Sequence, residues 1–315
     1  MKILITGGAG YLGSVMVPVM LQNGHQVTVV DNFMYNQNSL LDCCHDKNLT
    51  IIRNDARREE LIKSLVQKAD AIFPLACLTG APLCDKSPKE AEEVIIDAVR
   101  IILKYKSKNQ IVIYPTTNSG YGVGEKGKFC TEETPLRPIS LYGKLKVQAE
   151  KEVLEAGNAM TLRLATAFGV SPRMRLDLLV NDFTYKAYFQ RYIELFEAHF
   201  KRNFIHVRDV ANAFLLGINN FDRMKNETYN VGLSEANLSK KELCEEIQKH
   251  IPDLRFDESL DGKDPDKRDY IVSNEKIEKC GFRRQVSLSD GIAELVKGFA
   301  VVQERKNINV MITNI

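Results

Sequence analysis

The sequence lacks the features that mark metal sites, disulfide frameworks and membrane spans. Its seven cysteines form no C-x-x-C pair and show no zinc-ligand spacing. We therefore expect reduced, mostly buried thiols in a cytoplasmic protein that binds no metal. No apolar stretch is long enough to cross a bilayer, and no signal peptide is expected because Met1 and Lys2 lead directly into an apolar run.

The chain also has little net charge. Its 43 Lys and Arg residues against 41 Asp and Glu give a formal charge of +2, which favours neither nucleic acid nor a membrane surface as a partner. The 315 residues suffice for one large domain or for two that share a cleft. A chain of this length buries about three quarters of its unfolded surface, so its stability needs no crosslinks.

Three glycines stand between two apolar runs near the start of the chain. Ile3–Ile5 precedes Gly7, Gly10 and Gly13, and a helix-length stretch then leads to Val27–Val30. As strand, turn, helix and strand, this pattern predicts a dinucleotide site. The first glycine allows a tight turn, the second lets a pyrophosphate approach the backbone, and the third lets the helix pack against the strand. The helix N-terminus would bind the phosphates.

The second apolar run ends at Asp31, an acid at the distance expected for a ribose-binding residue. Its carboxylate can accept from the adenosine ribose hydroxyls. Asn32 and Phe33 follow it rather than an arginine, so a 2′-phosphate has no evident partner and NAD is favoured over NADP. A glycine triplet alone would also suit a turn in another α/β protein, but this context favours a dinucleotide.

Further apolar runs alternate with helix-length segments, which predicts an α/β fold. The runs are Leu49–Ile52, Ala71–Leu75, Gln110–Tyr114 and Met160–Leu164. We expect a Rossmann-type, doubly wound parallel sheet over residues 1–165, which would bind NAD. Residues 166–315 would form a smaller C-terminal α/β substrate lobe that shares some elements with the first domain. The tail from Gln303 lacks a clear period and is expected to be loosely held.

Two of the predicted helices carry broad apolar faces. They span Lys89–Lys106 and Tyr142–Leu154. Side by side, they could form the subunit contact of a homodimer or higher homo-oligomer. Packing on their own sheet is an equally good interpretation.

The second of these helices carries a candidate catalytic pair. Tyr142 and Lys146 lie four residues apart, on one helical face, and follow a hydroxyl-rich turn that contains Thr117. A nearby ammonium and a positive nicotinamide ring would lower the pKa of the phenol. Tyr142 could then take the proton of a substrate hydroxyl while the carbon beneath it loses hydride to NAD. Thr117 would hold the same hydroxyl, and Lys146 would also bind the nicotinamide ribose.

With these motifs the chain resembles the extended short-chain dehydrogenase/reductases, in the NAD-dependent nucleotide-sugar epimerase/dehydratase group. Residues 6–13 match the family's cofactor loop, Asn54-Asp55-Ala56 stands where the family has Gly-Asp, and Leu75-Ala76-Cys77 resembles the stretch that lines the cofactor. The resemblance implies catalytic Thr117, Tyr142 and Lys146. It implies that NAD is bound by Gly7, Gly10, Tyr11, Leu12, Gly13, Asp31, Asn32, Asp55, Ala56, Leu75, Ala76, Cys77, Tyr142 and Lys146.

The same resemblance implies a nucleotide-sugar site. Residues 202–210 are similar to the family segment whose arginine meets the substrate diphosphate, and Lys267-Arg268-Asp269 resembles a second phosphate site. An arginine fork suits a diphosphate because its donors are planar and permanently charged. The implied substrate-binding residues are Thr79, Asn118, Ser119, Thr166, Arg173, Arg175, Arg202 and Arg268.

Several positions depart from the family pattern. Asn118 and Ser119 replace the Asp-Glu pair with which 4,6-dehydratases eliminate water, so dehydration is not expected. Thr166 replaces the usual substrate asparagine, and residues 196–201 replace a glycine-rich turn that often borders the base. We expect His199, within that segment, to be a surface residue rather than a catalyst.

Four segments, 74–83, 117–122, 171–182 and 264–270, are similar to one branch of the family. It contains NAD-dependent C4 dehydrogenases of GDP-activated manno-heptose used in bacterial capsule synthesis. The resemblance implies oxidation at C4, with a small keto acid as a candidate second oxidant for NADH. A 4-epimerase would use the same triad and stays open. A non-catalytic NAD-binding scaffold is disfavoured because the triad is intact.

Overall fold

Strands and helices alternate through the first half of the chain in the computed structural model, which describes residues 1–259 and 268–301. The strands are β1 Lys2–Thr6, β2 Gln26–Asp31, β3 Leu49–Arg53, β4 Ala71–Pro74, β5 Ile111–Thr117, β6 Phe129–Cys130, β7 Ala159–Leu164, β8 Thr166–Phe168, β9 Tyr192–Leu195, β10 Lys201–His206, β11 Thr228–Val231, β12 Asn237–Ser239, β13 Arg255–Glu258 and β14 Ile271–Val272. Lys267 and the tail from Gln303 lie outside the described residues.

The α-helices are α1 Gly13–Gln22, α2 Glu59–Val66, α3 Ala81–Lys86, α4 Pro88–Glu92, α5 Ala98–Tyr105, α6 Leu141–Glu155, α7 Leu179–Gln190, α8 Val207–Asn219, α9 Phe221–Met224, α10 Lys240–His250, α11 Glu275–Lys279 and α12 Leu288–Phe299. Short 3₁₀ turns occur at Leu41–Cys43 and Asn118–Tyr121. No helix within the described ranges is both long and apolar enough to span a bilayer.

Seven parallel strands form the main sheet, in the order β11-β7-β5-β4-β1-β2-β3. This confirms the predicted Rossmann-type, doubly wound arrangement. The strand order reverses between β1 and β4, where such sheets open a crevice for ligands at the carboxyl ends of their strands. The edge strand β11 comes from the second half of the chain, so that half completes the sheet. The predicted division at residue 165 stays a prediction.

Alternating side chains of the strands pack into two apolar cores, one on each face of the main sheet. Ile3 and Ile5 of β1 pack into one core with α1, whereas Leu4 between them points to the other core with Ile62 of α2. Successive side chains of a strand point to opposite faces, so a sheet covered on both faces needs a nearly continuous apolar run. This requirement explains why the continuous apolar runs in the sequence predicted the central strands.

The predicted helix Lys89–Lys106 is interrupted by a π-helical turn at Glu93–Asp97, between α4 and α5. Buried residues of this region and of α6 belong to the core on the α2 side of the sheet. Both helices therefore bury apolar residues on their own sheet. Arg100 and Glu152 also join them through two hydrogen bonds of 2.9 and 2.8 Å. Homo-oligomer formation stays a prediction.

The other strands of the described residues form smaller sheets. A three-stranded sheet has the order β12-β10-β8, and two-stranded sheets pair β13 with β9 and β14 with β6. The pairing of β14 with β6 brings Asp269 and Tyr270 beside the segment that follows the Thr117 turn.

All seven cysteines are free thiols, of which Cys43, Cys84, Cys130 and Cys244 are buried.

Candidate active site

The turn after β1 has the close packing that its glycines predicted. Gly7 has a φ of +73°, and a Cβ there would lie 2.6 Å from the backbone nitrogen of Ala76. A Cβ at Gly13 would lie 2.5 Å from the Cα of Gly8. Any larger residue at either position would push the turn away from β4 or from the start of α1. Leu75 and Ala76 therefore lie directly against the turn.

Two N–H groups at the end of this turn are available to a ligand. Those of Tyr11 and Leu12 donate no hydrogen bond within the part of the chain that the structure describes. They stand at the N-terminus of α1, where the helix dipole favours an anion. Within 4 Å, a Cβ at Gly10 would meet one atom among residues 1–259 and 268–301 outside its chain neighbours, the carbonyl oxygen of Gly7 at 3.2 Å. The turn thus fits the pyrophosphate of a dinucleotide.

Asp31 ends β2 beside the turn. Its carboxylate accepts hydrogen bonds from the N–H groups of Ala9 (2.9 Å) and Phe33 (2.8 Å). Burial raises the pKa of Asp31, and the two N–H donors oppose this rise. A carboxylate has about four acceptor sites, so it can still accept from a ribose. Asn32 is exposed, and its side-chain oxygen accepts from the N–H of Met34 at 3.1 Å.

Asp55, predicted to contact adenine, lies in an ion-paired cluster. Arg57 donates to both of its carboxylate oxygens, at 2.6 to 3.1 Å, and also to Glu93 at 2.8 Å. The hydrogen bonds from Arg57 lower the pKa of Asp55. Ala56 beside it is buried. Part of the acceptor capacity of Asp55 is thus already used, and its contact with adenine stays a prediction.

Thr117 is the last residue of β5, three residues beyond the predicted strand end. Its hydroxyl donates to Ser119 Oγ at 2.9 Å, and the same Oγ accepts from the guanidinium of Arg268. The start of α6 packs against this turn, since a Cβ at Gly143 would lie 3.4 Å from the carbonyl oxygen of Ser119. The structure therefore brings the Thr117 turn, Arg268 and the residue after Tyr142 together.

Asn118 is almost fully buried in the same turn, at 1% exposure. Neither its amide nitrogen nor its amide oxygen has a hydrogen-bond partner among the described residues. A buried amide without partners is costly, so this side chain is suited to bind a ligand that supplies them.

Lys146 is buried one helical turn after Tyr142. Its ammonium donates to the hydroxyl of Tyr114 at 2.7 Å and lies 3.9 Å from the centroid of that ring. Burial lowers the pKa of Lys146 to about 8. Negative charge on Cys77, on Glu150 or on Cys84 would act against this fall. Burial raises the pKa of both thiols, which keeps them protonated.

The pKa of Tyr142 was predicted to be lowered, but in the protein alone it is raised. Burial raises the pKa of this phenol, and the cations that oppose the rise are Arg175 and Arg268. The prediction attributed a lowered pKa to the Lys146 ammonium together with the nicotinamide ring, but this ammonium is bonded to Tyr114. The Tyr142 hydroxyl makes no hydrogen bond within residues 1–259 and 268–301, so it is available to a substrate.

Two of the predicted diphosphate-binding arginines are adjacent. The guanidinium of Arg202 donates to the carbonyl oxygen of Arg268, and its side chain is almost fully buried. Arg175 forms an ion pair with Asp177. The positive charges of Arg175 and Arg268 both lower the pKa of the Tyr142 phenol, against the effect of its burial.

The remaining predicted substrate residues occupy different surroundings. Arg173 is buried against the ring of Tyr35, on the loop that follows Asp31. The hydroxyl of Thr79 donates to the carbonyl oxygen of Cys77 at 3.4 Å. Thr166 begins β8 and pairs with Phe204 of β10. His199 is exposed, as predicted.

Two residues that organise the site, Tyr114 and Asn181, were not predicted from the sequence. Tyr114 looked like one more apolar strand residue, because nothing in its spacing relates it to Lys146. Asn181 is fully buried at the start of α7, where it accepts from the N–H of Gly169 at 2.9 Å and donates to the carbonyl oxygen of Arg175 at 2.8 Å. A polar residue within an apolar helix face was the only available signal. No group of three metal-ligating side chains occurs among the described residues.

Comparison with known proteins agrees with this geometry. The model of the NAD dependent epimerase/dehydratase family matches residues 3–232. A dTDP-glucose 4,6-dehydratase of Streptomyces niveus is 26% identical, over 95% of this chain and 93% of its own. The crystal structure of UDP-glucose 4-epimerase with UDP-glucose from Thermotoga maritima superposes with a TM-score of 0.82 at 24% identity, covering 95% of this chain and 99% of that one.

A second solved structure has the same fold. The dTDP-glucose 4,6-dehydratase of Bacillus anthracis in complex with NAD superposes with a TM-score of 0.79 at 22% identity, over 95% of this chain and 96% of that one. At these identities the superpositions establish the fold, while the family match covers most of the chain. The glycine turn, its two available N–H groups and Asp31 fit the cofactor for which the family is named. The chain is therefore an enzyme of the NAD dependent epimerase/dehydratase family, with NAD as its cofactor.

Proposed function

We propose that the chain oxidises C4 of a nucleotide-activated sugar with NAD, and that its substrate is a GDP-glycero-manno-heptose destined for capsule or another surface polysaccharide. The reaction type is supported by the packing of the Thr117 turn against the start of α6. The Tyr142 hydroxyl is available there, and the charges of Arg175 and Arg268 lower its pKa. The choice of sugar rests on the resemblance of four segments to one family branch. Residues 1–165 would bind NAD and residues 166–315 the sugar nucleotide.

Tyr142 is the proton acceptor in this proposal. Its buried phenol needs positive charge before it can ionise near neutral pH, and Arg175 and Arg268 supply part of that charge. Bound NAD accepts the hydride and adds the positive charge of its nicotinamide ring. Thr117 holds the substrate hydroxyl, and Lys146 supports the site electrostatically and binds the nicotinamide ribose. Arg202 and Arg268 bind the diphosphate, for which their fixed positive charge is suited.

The residues after Thr117 argue against dehydration. Elimination of water requires an acid that protonates the leaving hydroxide, and neither the amide of Asn118 nor the hydroxyl of Ser119 can do so near neutral pH. The buried, unpartnered amide of Asn118 can instead hydrogen-bond to sugar hydroxyls. We therefore assign Asn118 and Ser119 to substrate binding, together with Thr79, Thr166 and Arg175.

The test is a single-turnover reaction with the sugar nucleotide in excess over NAD-loaded enzyme. Oxidation of GDP-glycero-manno-heptose predicts absorbance at 340 nm in proportion to enzyme, loss of the C4 proton signal in the NMR spectrum and a 4-keto product. A C4-deuterated substrate should transfer its deuterium to the cofactor. GDP-mannose, UDP-glucose and dTDP-glucose serve as matched substrates that differ in sugar or base.

The second candidate function is a 4-epimerase, since it uses the same triad and UDP-glucose 4-epimerases occur among the relatives. In that case the hydride returns to the other face of C4. Recovery of the 4-epimer without a released keto sugar or accumulated NADH would contradict the dehydrogenase proposal and support this alternative. If the dehydrogenase is correct, continued turnover needs a second oxidant, for which a small keto acid is our candidate.

A further inference from the structure

Two loops outside the catalytic triad are hydrogen-bonded to the glycine turn, residues 7–13. The first loop, residues 32–40, follows β2, and its Ser39 hydroxyl donates to the carbonyl oxygen of Ala9 at 2.7 Å. The second loop, residues 169–177, follows β8, and its Ser171 hydroxyl donates to the carbonyl oxygen of Tyr11 at 2.8 Å. The two bonded carbonyls flank Gly10. Both serines are buried, so these attachments are part of the packed structure.

Further hydrogen bonds fix the second loop. The Tyr11 hydroxyl donates to the carbonyl oxygen of Gly169 at 2.8 Å, and Ser14 and Ser171 share a hydrogen bond of 3.0 Å. Asn181 accepts from the N–H of Gly169 at the start of this loop and donates to the carbonyl oxygen of Arg175 near its end. The position of this loop is therefore determined by the turn that binds the cofactor phosphates.

The two loops meet through Tyr35 of the first and Arg173 of the second. The guanidinium carbon of Arg173 lies 4.2 Å from the centroid of the Tyr35 ring, well within the range of a cation–π contact. Arg173 is only 3% exposed, and Tyr35 is partly buried. Exclusion of water strengthens such a contact, because the cation loses the competing solvent.

The contact connects the two loops close to their points of attachment to the turn. Ser39, four residues after Tyr35, bonds at Ala9, and Ser171, two residues before Arg173, bonds at Tyr11. Because these two carbonyls stand on either side of Gly10, the contact between Tyr35 and Arg173 bridges the two loops beside the turn.

We propose that Tyr35 and Arg173 form a latch over the phosphate-binding turn, which retains the dinucleotide between turnovers. The permanent positive charge of Arg173 also suits the pyrophosphate. The contact with Tyr35 assigns Arg173 to the cofactor side of the cleft, although its sequence context implied the substrate side. The inference deepens the proposed function and rests on it. The proposed dehydrogenase holds NADH until the second oxidant takes the hydride, and a 4-epimerase would hold it until the hydride returns to the sugar.

The test measures cofactor release without any turnover. Protein loaded with NADH is mixed with a large excess of NAD, and the loss of bound NADH fluorescence gives the dissociation rate constant. We expect Tyr35→Leu and Arg173→Met each to raise this constant about tenfold. Tyr35→Phe keeps the ring and should release NADH nearly as slowly as the unmodified protein. Tyr192→Leu, the same substitution at an exposed tyrosine of β9, is the matched control.

The double variant tests the pairing itself. If the two side chains act through one contact, Tyr35→Leu combined with Arg173→Met should release NADH no faster than the faster single variant. Multiplicative effects, or a Tyr35→Leu variant with unchanged release, would overturn the latch. Should Arg173→Met fail to fold, Arg173→Lys and Tyr35→Leu still provide the comparison. An unmodified protein that binds no NADH would contradict the proposed function and the latch together, whereas tight binding with unchanged release in both variants contradicts the latch alone.

Discussion

The ammonium of Lys146 lies 2.7 Å from the hydroxyl oxygen of Tyr114 and 3.9 Å from the centroid of its ring. Tyr114 stands on β5, three residues before Thr117, and Lys146 stands on α6, one turn after Tyr142. The hydrogen bond therefore joins the strand that carries the hydroxyl anchor to the helix that carries the proposed proton acceptor. It also stabilises the charged form of a buried lysine, since a phenol oxygen accepts from an ammonium.

Tyr114→Phe removes this acceptor and leaves the ring in place. The neutral form of Lys146 is then favoured, so we expect the alkaline limb of the pH–rate profile to move to lower pH. Single-turnover reduction of bound NAD, followed at 340 nm from pH 6.5 to 9.5, measures the effect. Above pH 8 the rate should fall roughly tenfold, in line with the loss of one hydrogen bond to a charged group.

Tyr229→Phe is the matched control for this variant. Tyr229 is equally buried in the same sheet, but on the edge strand β11, two strands from β5. Its variant should keep the pH profile of the unmodified enzyme. A Tyr114→Phe profile that superposes on that of the unmodified enzyme would show that the Tyr114 hydroxyl does not control the charge of Lys146.

The titration of Lys146 should also be visible in stability. Burial lowers its pKa from 10.5 to about 8, so between these values the unfolded chain binds more protons than the folded one. The free energy of unfolding therefore gains a contribution that rises with pH in this window. From pH 7 to pH 9 the gain amounts to about 1 kcal/mol, at 1.36 kcal/mol per pKa unit. Lys146→Met abolishes this contribution.

Urea unfolding of both proteins at pH 7 and pH 9 isolates the effect. Other groups titrate in both chains, so the quantity of interest is the change with pH in the difference between them. The stability of the unmodified protein should improve relative to Lys146→Met as the pH rises. A difference that stays constant would mean that Lys146 titrates near its ordinary value, despite its burial.

Tyr142→Phe separates chemistry from cofactor binding. Its hydroxyl makes no hydrogen bond among the described residues, so its loss should change the free energy of unfolding by less than about 0.5 kcal/mol. Hydride transfer should fall at least about a hundredfold, because the proton acceptor is gone. NADH affinity, measured by fluorescence titration, should remain. Unchanged turnover would remove Tyr142 from its assigned role.

The sequence predicted the fold well because the fold depends on local patterns. Continuous apolar runs mark strands buried on both faces, and the turn at Gly7 and Gly13 admits no side chain. Such constraints act within a few residues and leave a direct trace. The π-helical turn at Glu93–Asp97 leaves none, because apolar spacing does not distinguish it from an ordinary helix.

The site was predicted less completely because its electrostatics depend on distant contacts. The four-residue spacing of Tyr142 and Lys146 suggested that the lysine lowers the pKa of the phenol. In the folded protein Tyr114, 32 residues earlier, binds the ammonium, and Arg268, from the other half of the chain, acts on the phenol. Neither relation has a fixed spacing in sequence, so only the tertiary structure reveals it.

A buried ion pair holds the catalytic helix in place. Glu150 on α6 accepts from Arg163 on β7 at 2.6 to 3.2 Å, and their side chains are 5% and 7% exposed. Arg163 also donates to the hydroxyl of Tyr121 at 3.1 Å, which ties the pair to the end of the Thr117 turn. Glu150→Gln leaves the guanidinium buried without its counter-charge. We expect the free energy of unfolding to fall by about 3 kcal/mol, as measured by urea unfolding at pH 7.5.

Glu155→Gln is the control on the same helix. Glu155 meets Lys151 at 3.7 Å with both side chains largely exposed, so its replacement should change stability by less than about 0.5 kcal/mol. Because the buried pair also orients α6 against the Thr117 turn, Glu150→Gln should slow hydride transfer even under conditions where it is fully folded, whereas Glu155→Gln should not. Equal stability and equal rates in the two variants would mean that the pair neither stabilises the fold nor positions Tyr142.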